Sequence, residues 1–275
     1  MHDRSCMMTV PGAIPLTRIS RTHDVERIKE ALDVVASFLS DPATIEAARI
    51  KSTLTTSLDT DINDILHVLL PRRDEGWLSE ETPDDLQRLT RKRVWIVDPL
   101  DGTREFLLGL PEWCISIGLI EDGTAVAGGI LNPSTGEMFL GSDETGLTII
   151  HSGATGRTRE DVETGSVLVS RREYDEGKWA QFQKLLLPVT PVGSVAYRLA
   201  QVAAGRAAAT CTFMPRHEWD VAAGVALVLA SGGKVQTLRG EDMAFNRRAP
   251  SFESLVAFSS CCDPFLASLG SEAKA

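Results

Sequence analysis

Apolar residues recur at three- and four-residue spacing along the first seventy positions, and this period predicts amphipathic helices. The first predicted helix runs from Asp24, which occupies the N-cap position, to Leu39. A second opens at Asp41-Pro42, where proline suits the first helical position, and a third spans Asp59–Leu70. This part of the sequence is therefore expected to be helical, with one face of each helix buried.

The period changes after residue 90, where short apolar runs separated by turn residues predict strands. Val94–Val97 is wholly apolar and stops at the turn residues 98–102, as a strand buried on both faces does. Three further strands are predicted, of which the first two form a hairpin: Cys114–Ile120, Ala125–Leu131 and Glu137–Gly141. The first half is therefore predicted to be helices packed on a largely antiparallel sheet.

Residues 142–165 are rich in glycine, threonine and charge and lack a helical period, so they are predicted to join two units. Beyond them the pattern predicts the strands Ser166–Ser170 and Ala207–Phe213 and the helices Gly177–Leu187, Val195–Ala204 and Trp219–Ala230. The sequence thus predicts a mixed α and β protein with an N-terminal α+β unit, residues 1–145, and a C-terminal α/β unit, residues 146–275.

The charge of the chain is one-sided, because 28 lysines and arginines stand against 38 aspartates and glutamates, a net charge of −10. A surface of that sign repels nucleic acid, so no nucleic-acid partner is expected. A small anionic substrate would need a local cation to offset the carboxylates. A bound metal ion is the natural candidate for that cation.

Cysteine usage and the length of apolar runs bear on the compartment. The five cysteines are Cys6, Cys114, Cys211, Cys261 and Cys262. Their odd number and the absence of C-x-x-C spacing are typical of free thiols in a reducing compartment. The longest apolar stretch, near Val221–Ala230, is too short to cross a bilayer, and the first twenty residues lack a secretory pattern. We expect a cytoplasmic protein without a membrane partner.

Asp98 and Asp101 follow the predicted buried strand and lie three residues apart, so both carboxylates can face one point. Pro99 stiffens the turn between them, and Gly102 permits close approach of the backbone. Two such acids repel one another unless a cation lies between them, and carboxylate oxygens suit Mg²⁺. Alone, the pair is weak evidence, because aspartates three residues apart usually mark a solvated turn.

Other acids strengthen the hypothesis when they are taken together. Glu80-Glu81 follows a short apolar pair, Asp59 opens a helix, and Asp220 lies in the first turn of an apolar helix. Each acid at a helix start, taken singly, is better explained as a partner of the helix dipole. Together with the backbone N–H groups of Gly102-Thr103 they would form a site for metal and phosphate.

Two ordered motifs connect this chain to a known family. Residues 95–103, WIVDPLDGT, are preceded by Ser79-Glu80-Glu81 and followed by residues 219–224, WDVAAG. This arrangement resembles the inositol monophosphatase superfamily of Mg²⁺-dependent, lithium-sensitive phosphomonoesterases, over about residues 25–258. The resemblance implies an αβαβα layered sandwich, a homodimer, a small phosphorylated substrate and two or three Mg²⁺ ions in each active site.

The resemblance also implies metal ligands by position. Glu80, Asp98 and the backbone carbonyl of Leu100 would hold one Mg²⁺. Asp98, Asp101 and Asp220 would hold a second ion. A third, weaker ion would rest on Glu80 and water, which places Glu80 among the catalytic residues.

Two further catalytic roles are implied in the same way. Thr103, with the carboxylate of Asp59, would orient and deprotonate the attacking water, and the N–H groups of Gly102 and Thr103 would cradle the phosphate. Cations placed on both sides of the reacting phosphorus are the physical basis of this two-metal chemistry. The sequence departs from the family before Asp59, where Lys51 stands closer than usual and the loop is shortened.

The residues after the shared motif favour one branch of the superfamily. Arg104-Glu105-Phe106 is similar to the 3'(2'),5'-bisphosphate nucleotidases of the CysQ type, which remove the 3'-phosphate of adenosine 3',5'-bisphosphate. By the same resemblance Ser194 and Arg216 would meet the sugar or a second phosphate, and arginine suits a phosphate well. Glu218 would either meet the substrate or only cap its helix.

Alternatives remain open at this level. Residues 109–113, GLPEW, are similar to histidinol-phosphate phosphatases of the same superfamily, and inositol 1-phosphate or a broad range of phosphomonoesters would also suit the motif. A different class of function would be an inactive relative that binds nucleotide. That hypothesis predicts the loss of a metal ligand, and none is missing from the sequence.

Overall fold

A computed structural model describes residues 20–50, 57–151, 165–180 and 188–261. The helices are α1 (Arg21–Phe38), α2 (Pro42–Ile50), α3 (Ser57–Leu69), α4 (Thr103–Leu107), α5 (Arg171–Asp175), α6 (Val195–Ala203) and α7 (Glu218–Ala230). The strands are β1 (Gly76–Ser79), β2 (Arg93–Asp101), β3 (Cys114–Glu121), β4 (Thr124–Asn132), β5 (Glu137–Ser142), β6 (Gly146–His151), β7 (Val167–Ser170), β8 (Val189–Val192), β9 (Ala209–Thr212), β10 (Arg216–His217), β11 (Lys234–Gln236), β12 (Ser251–Phe252) and β13 (Leu255–Phe258). The predicted mixture of α and β is confirmed.

The first sheet contains the strands in their sequence order, β1-β2-β3-β4-β5-β6, within the described residues. β1 and β2 are parallel, and the other neighbours are antiparallel, including the predicted hairpin of β3 and β4. β6 lies within residues 142–165, which the sequence predicts to join two units. Its glycine and threonine are typical of loops, so the pattern did not indicate a strand. The first sheet therefore runs past residue 145, while the division of the chain into two units stays a prediction.

β2 explains why the run at residues 94–97 is wholly apolar. Val94 and Ile96 face a core shared with α6 and α7, whereas Trp95 and Val97 face a core shared with α1 and α3. Both faces of the strand are covered, so alternation with polar residues is absent. This burial of a strand between two helical layers is what the sequence predicts.

Helix α7 approaches the first sheet closely at two glycines. A Cβ atom on Gly118 would lie 2.7 Å from the Cβ of Ala222, and one on Gly128 would lie 2.5 Å from the carbonyl oxygen of Ala223. Such distances do not occur in packed proteins, so only glycine suits these two strand positions. The small residues on both sides let the backbone of α7 lie almost against the sheet.

The second sheet has the order β11-β13-β9-β7-β8 in the described part of the chain, and it covers the other side of α6 and α7. Its far face carries a separate apolar cluster that includes Trp179. The predicted helix Gly177–Leu187 lies mainly outside the described residues, which show only a turn over residues 176–179. From α1 to this face the layers follow the predicted α-β-α-β order.

The start of α1 corrects one sequence-based expectation. Ser20, not Asp24, is the N-cap, and its side chain accepts the N–H of Thr22. Asp24 lies inside the first turn and is fully buried, where it pairs with Arg21 at 3.4 Å and with Arg93 at 2.5 Å. The helix begins earlier because Ser20 caps it, while Asp24 pairs with arginines instead of capping.

Asp24 belongs to a buried ion-pair network at one end of the first sheet, formed by Arg21, Asp24, Arg27, Glu75, Arg93 and Glu121. Glu75 receives the guanidinium of Arg27 at 2.7 and 3.0 Å and the indole N–H of Trp95 at 2.9 Å. Burial alone would raise the pKa of Glu75, but these hydrogen bonds outweigh it and lower the pKa to about 2.

We expect this network to make the protein sensitive to acid. Because the pKa of Glu75 falls from 4.5 to about 2 on folding, its contribution to stability is complete above pH 4.5 and is lost as the pH falls towards 2. Urea unfolding at several pH values should show a decrease on the order of 3 kcal/mol from this group, and Glu75→Gln should flatten that part of the curve. Glu253→Gln, at an exposed ion pair, is the control and should leave the slope unchanged. An equal slope in wild type and Glu75→Gln would contradict the assignment.

Two smaller expectations can be compared with the structure. Cys114, Cys211 and Cys261 are free thiols, whereas Cys6 and Cys262 lie outside the described residues. Among the helices that the structure describes, none is both long and apolar enough to cross a membrane.

Candidate active site

The carboxyl ends of β1 and β2 bring the first two predicted acids to one edge of the first sheet. The strands are parallel, and Ser79 pairs with Val97. The residues that come next are Glu80 and Asp98, so both leave the sheet at the same edge. The side chain of Ser79 donates to Asn63 at 2.7 Å and thereby anchors the end of β1 to α3.

The turn after Asp98 has the tight geometry that its sequence predicts. Pairing between β2 and β3 is interrupted between Asp98 and Asp101, and Asp98 Oδ1 accepts the N–H of Leu100 at 2.9 Å. Gly102 has a φ of +95°, and a Cβ there would lie 2.8 Å from the carbonyl oxygen of Glu112. A side chain at Gly102 would therefore be both strained and blocked.

Asp220 reaches the same place from the other half of the chain. It is the third residue of α7, and its Oδ2 accepts the N–H of His217, the residue before the helix, at 2.9 Å. Its electrostatic neighbours include Asp101 and Glu80. The structure thus brings four of the predicted metal ligands together, and we refer to Glu80, Asp98, Asp101 and Asp220 as the carboxylate cluster.

Burial raises the pKa of every member of the carboxylate cluster, and repulsion between the carboxylates adds to the rise for Glu80, Asp98 and Asp220. Asp98 is 1% exposed, and loss of hydration, followed by the charges of the other three carboxylates, raises its pKa well above the usual range. The pKa values of Glu80, at the exposed rim of the site, and of Asp220 are both raised to about 7. Loss of hydration is the larger cause in each case, and the charge of Asp101 is the second. Four acids in this state favour a cation among them.

Asp101 is held by the start of α6. Its Oδ2 accepts the hydroxyl of Ser194 at 2.6 Å and the N–H of Ala196 at 2.7 Å. Loss of hydration still raises the pKa of Asp101, although these hydrogen bonds and the charges of Arg216 and Arg198 oppose the rise. Ser194, predicted as a substrate contact, therefore has a second duty, because it fixes a predicted metal ligand.

The chemistry of the carboxylate cluster suits a hard divalent cation, since every donor is an oxygen and the charges repel one another without one. The side chains are not yet arranged around an ion. Within the ranges that the structure describes, no group of three or more His, Cys, Asp and Glu side chains has the arrangement needed to hold a metal. Asp98 instead accepts a hydrogen bond from the N–H of Leu100, and Asp101 accepts one from the hydroxyl of Ser194.

The predicted water-binding residues lie beside the carboxylate cluster. Asp59, in the first turn of α3, is 3% exposed and close enough to Glu80 and Glu81 to raise the pKa of both. Thr103 opens α4, and its hydroxyl donates to the carbonyl of Leu100 at 3.2 Å. This bond links the predicted catalytic threonine to the carbonyl that is predicted to bind metal.

The arginines near the site differ in whether their side chains are already paired with acids. Arg171 is bound to Glu112, and Arg104 is a surface residue near Asp175 at 3.7 Å. Arg216 is only partly exposed, acts electrostatically on Asp101 and Asp220, and its Nε has no hydrogen-bond partner in the described residues. Arg216 is therefore the cation best placed to meet an anionic group at the site.

Glu218 does not act as a helix cap, which corrects the second of the two predicted roles. It is fully buried at the first position of α7, and the cap position belongs to His217. Its two carboxylate oxygens accept the N–H groups of Asn246 at 2.8 Å and Arg247 at 3.0 Å. Its carboxylate thus anchors the loop that precedes β12, and a substrate contact from this side chain stays a prediction.

Two residues near the site were not predicted as site residues from the sequence. Glu112 accepts the N–H of Gly193 at 2.7 Å, and Arg198 is 1% exposed beside Arg216 and Asp101. Glu112 is the variable position within residues 109–113, and Arg198 lies in no motif with a recognised spacing. Their partners are distant in sequence, so no local pattern could have revealed them.

The fold and the site together define a layered α and β protein with a buried carboxylate cluster suited to divalent cations. A profile of the inositol monophosphatase family matches residues 19–262. The chain belongs to that family, whose members are phosphatases that hydrolyse phosphomonoesters. The predicted fold class is confirmed with it, and family members generally depend on a metal ion, commonly Mg²⁺.

Individual relatives support the family without selecting one substrate. Nus factor SuhB of Xylella fastidiosa is 35% identical over 157 residues, which cover 54% of this chain and only 56% of the relative. The 3'(2'),5'-bisphosphate nucleotidase CysQ of Escherichia coli is 31% identical over 219 residues, 79% of this chain and 85% of the relative. The crystal structure of CysQ from Bacteroides thetaiotaomicron superposes with a TM-score of 0.70 at 24% identity, covering 86% of this chain and 97% of the other. That likeness concerns the fold.

Proposed function

We propose that this protein is a Mg²⁺-dependent phosphomonoesterase that removes the 3'-phosphate of adenosine 3',5'-bisphosphate, a 3'(2'),5'-bisphosphate nucleotidase. The observation that carries the proposal is a buried carboxylate cluster with Arg216 beside it, a cation whose Nε lacks a hydrogen-bond partner in the described residues. The carboxylates would hold metal at the reacting phosphate. The arginine would hold a second phosphate, which nucleoside bisphosphates have and inositol 1-phosphate lacks.

Five groups would hold the ions in this proposal. Glu80, Asp98 and the carbonyl of Leu100 would bind one ion, and Asp98, Asp101 and Asp220 a second. When bound, divalent ions supply positive charge to the reacting phosphate and lower the pKa of water. Asp98 is common to both sets and is the most buried of the four acids, so it is the ligand whose loss should cost most.

Other groups of the chain would handle water and phosphate. Asp59 and Thr103 orient the attacking water, and Asp59 takes up its proton. The N–H groups of Gly102 and Thr103, at the start of α4, would bind the phosphate oxygens. Attack in line with the leaving oxygen inverts the configuration at phosphorus and forms no phosphoenzyme.

A second candidate function is hydrolysis of a monophosphate such as inositol 1-phosphate or histidinol phosphate. The resemblance of residues 109–113 to histidinol-phosphate phosphatases favours it, as does the 33% identity with an inositol-1-monophosphatase of Caulobacter vibrioides, which slightly exceeds that with CysQ. We further propose that the protein is a cytoplasmic homodimer with two or three Mg²⁺ ions per site, inhibited by lithium. These properties follow from the resemblance of the sequence to the superfamily.

The test is phosphate release with Mg²⁺ from adenosine 3',5'-bisphosphate, inositol 1-phosphate and histidinol phosphate, compared as kcat/KM. We expect the nucleotide to lead by a hundredfold or more, about 2.7 kcal/mol of discrimination between transition states. Near-equal values would indicate a general phosphatase. No release from any substrate would favour an inactive relative that binds nucleotide.

The same assay on Arg216→Ala tests the assignment of the second phosphate. We expect the variant to lose at least tenfold more kcat/KM on the nucleoside bisphosphate than on inositol 1-phosphate, because only the former presents a second anionic group to the guanidinium. Arg104→Ala removes a half-exposed surface arginine and is the matched control, with no expected change. Equal losses on both substrates would remove Arg216 from substrate selection.

A further inference from the structure

The side chain of Glu112 joins distant segments of the chain beside the carboxylate cluster. It is 6% exposed and lies in the loop between α4 and β3. Its Oε2 accepts the N–H of Gly193 at 2.7 Å, and both of its oxygens accept the guanidinium of Arg171 at 2.7 Å. A buried carboxylate this fully bonded has a fixed orientation.

The segment that Glu112 holds is the one that positions Asp101. Gly193 immediately precedes Ser194, whose hydroxyl and whose helix both bond to Asp101 Oδ2. Ser194 has a φ of +48° and a ψ of 114°, a strained conformation for a residue with a side chain. Such strain costs on the order of 1–3 kcal/mol and persists only where surrounding contacts fix it. The bond from Glu112 to Gly193 supplies one of those contacts.

The backbone of Glu112 lies against the other side of the site. Its carbonyl oxygen is the atom that a Cβ on Gly102 would approach to 2.8 Å, and the Cβ of Ser194 follows at 3.2 Å. Gly102 therefore packs closely against both the carbonyl of Glu112 and the side chain of Ser194. One residue thus contacts both the predicted phosphate cradle and the segment that holds a predicted metal ligand.

Arg171 makes the burial of this carboxylate possible. It follows directly after β7, and besides Glu112 it donates to the carbonyl of Pro191 at 3.2 Å. The guanidinium neutralises Glu112 and fixes the strand that leads into Gly193. The pair links residues 59 positions apart and joins the loop before β3 of the first sheet to the start of α5, directly after β7 of the second sheet.

We propose that Glu112 is a positioning residue: with Arg171 it fixes the backbone at Gly193 and Ser194 and so holds Asp101 in the orientation that binds a divalent ion. This inference rests on the proposed function, in which Asp101 is a metal ligand. Groups that orient metal ligands commonly affect metal affinity by 10–100-fold. Neither Glu112 nor Arg171 touches the reacting phosphate in this role.

The experiment measures Mg²⁺ binding to the intact protein by titration calorimetry without substrate. Glu112→Ala should weaken Mg²⁺ binding at least tenfold, and Glu112→Gln should weaken it less, because the amide oxygen can still accept the N–H of Gly193. Glu75→Ala is the matched control, since Glu75 is also buried and bound by an arginine through both oxygens, at the other end of the sheet. It should bind Mg²⁺ like the wild type.

Enzyme kinetics provide a second readout in the same variants. The Mg²⁺ concentration for half-maximal phosphate release should rise at least tenfold in Glu112→Ala, while KM for the substrate at saturating Mg²⁺ changes less than threefold. A residue that only stabilises the fold would not separate these two quantities. Circular dichroism confirms that each variant is folded at the assay temperature.

Three results would overturn the inference. Mg²⁺ affinity of Glu112→Ala within twofold of the wild type would remove the positioning role. An equal loss in Glu75→Ala would show a general effect of stability. If the wild-type protein binds no Mg²⁺ at millimolar concentration, the metal site itself is wrong, and the role of Glu112 with it. This failure is seen in the wild type alone, whereas failure of the positioning role is seen only in the variants. If Glu112→Ala does not fold, Glu112→Asp, which is too short to reach Gly193, replaces it, and wild-type affinity there would contradict the proposal.

Discussion

Asp98→Asn should abolish turnover and leave the protein folded. Asparagine has the size of aspartate, and its side-chain oxygen can still accept the N–H of Leu100. It removes the charge from the carboxylate that both proposed ions share, so we expect kcat/KM to fall by at least a thousandfold, about 4 kcal/mol. Phosphate release with saturating Mg²⁺ measures the loss.

The stability of the same variant gives an independent signature. Asp98 is buried among like charges, so replacing it with a neutral residue relieves repulsion when no cation is present. Without Mg²⁺ the Tm of Asp98→Asn should therefore equal or exceed that of wild type, while the increase in Tm on adding Mg²⁺ should disappear. Asp143→Asn, at a half-exposed ion pair with Arg21, is the control for activity. A variant that keeps more than about a tenth of wild-type activity would contradict the shared-ligand role.

Gly128→Ala should destabilise the protein by on the order of 3 kcal/mol, although it adds one methyl group. The new Cβ would lie 2.5 Å from the carbonyl oxygen of Ala223, an atom of the α7 backbone that cannot rotate away. Helix α7 would have to move off the first sheet, and its contacts with five strands of that sheet would loosen together. Urea unfolding of both proteins at one pH measures the difference.

A second glycine is the control that distinguishes the effect of the steric clash from the effect of replacing any glycine by alanine. Gly146 has a φ of +69°, and a Cβ there would meet no atom closer than 3.9 Å. Gly146→Ala should therefore cost only the strain of a left-handed alanine, about 1 kcal/mol. If Gly146→Ala were as destabilising as Gly128→Ala, close helix packing would not explain the effect.

The features that could be predicted from the sequence are those with a local cause. The strand that leads to Asp98, the turn to Asp101 and the helix that carries Asp220 each follow from residues next to one another in the chain. The family resemblance rests on the same short motifs. Local patterns were therefore sufficient to predict the core of the fold and the members of the carboxylate cluster.

The features that escaped prediction depend on partners far away in the chain. Aspartate is a common N-cap residue, which is why the sequence predicts that role for Asp24. In the structure Asp24 forms a buried ion pair with Arg93, 69 residues later in the chain. Glu112 is the variable position of the motif at residues 109–113, which does not reveal its contact with Gly193, 81 residues away. β6 is a half-exposed edge strand of weak pattern, so sequence periodicity could not distinguish it from a loop.

The place of α7 in the layered fold also bears on how the protein is made. The first sheet can pair fully once His151 has left the ribosome, but α7, which covers one of its faces, begins only at Glu218. Translation adds roughly 5–20 residues per second, so the apolar face of the sheet stays exposed for on the order of ten seconds during synthesis. Asp220 arrives with the same helix, so a nascent chain cannot complete its carboxylate cluster before the sheet is covered.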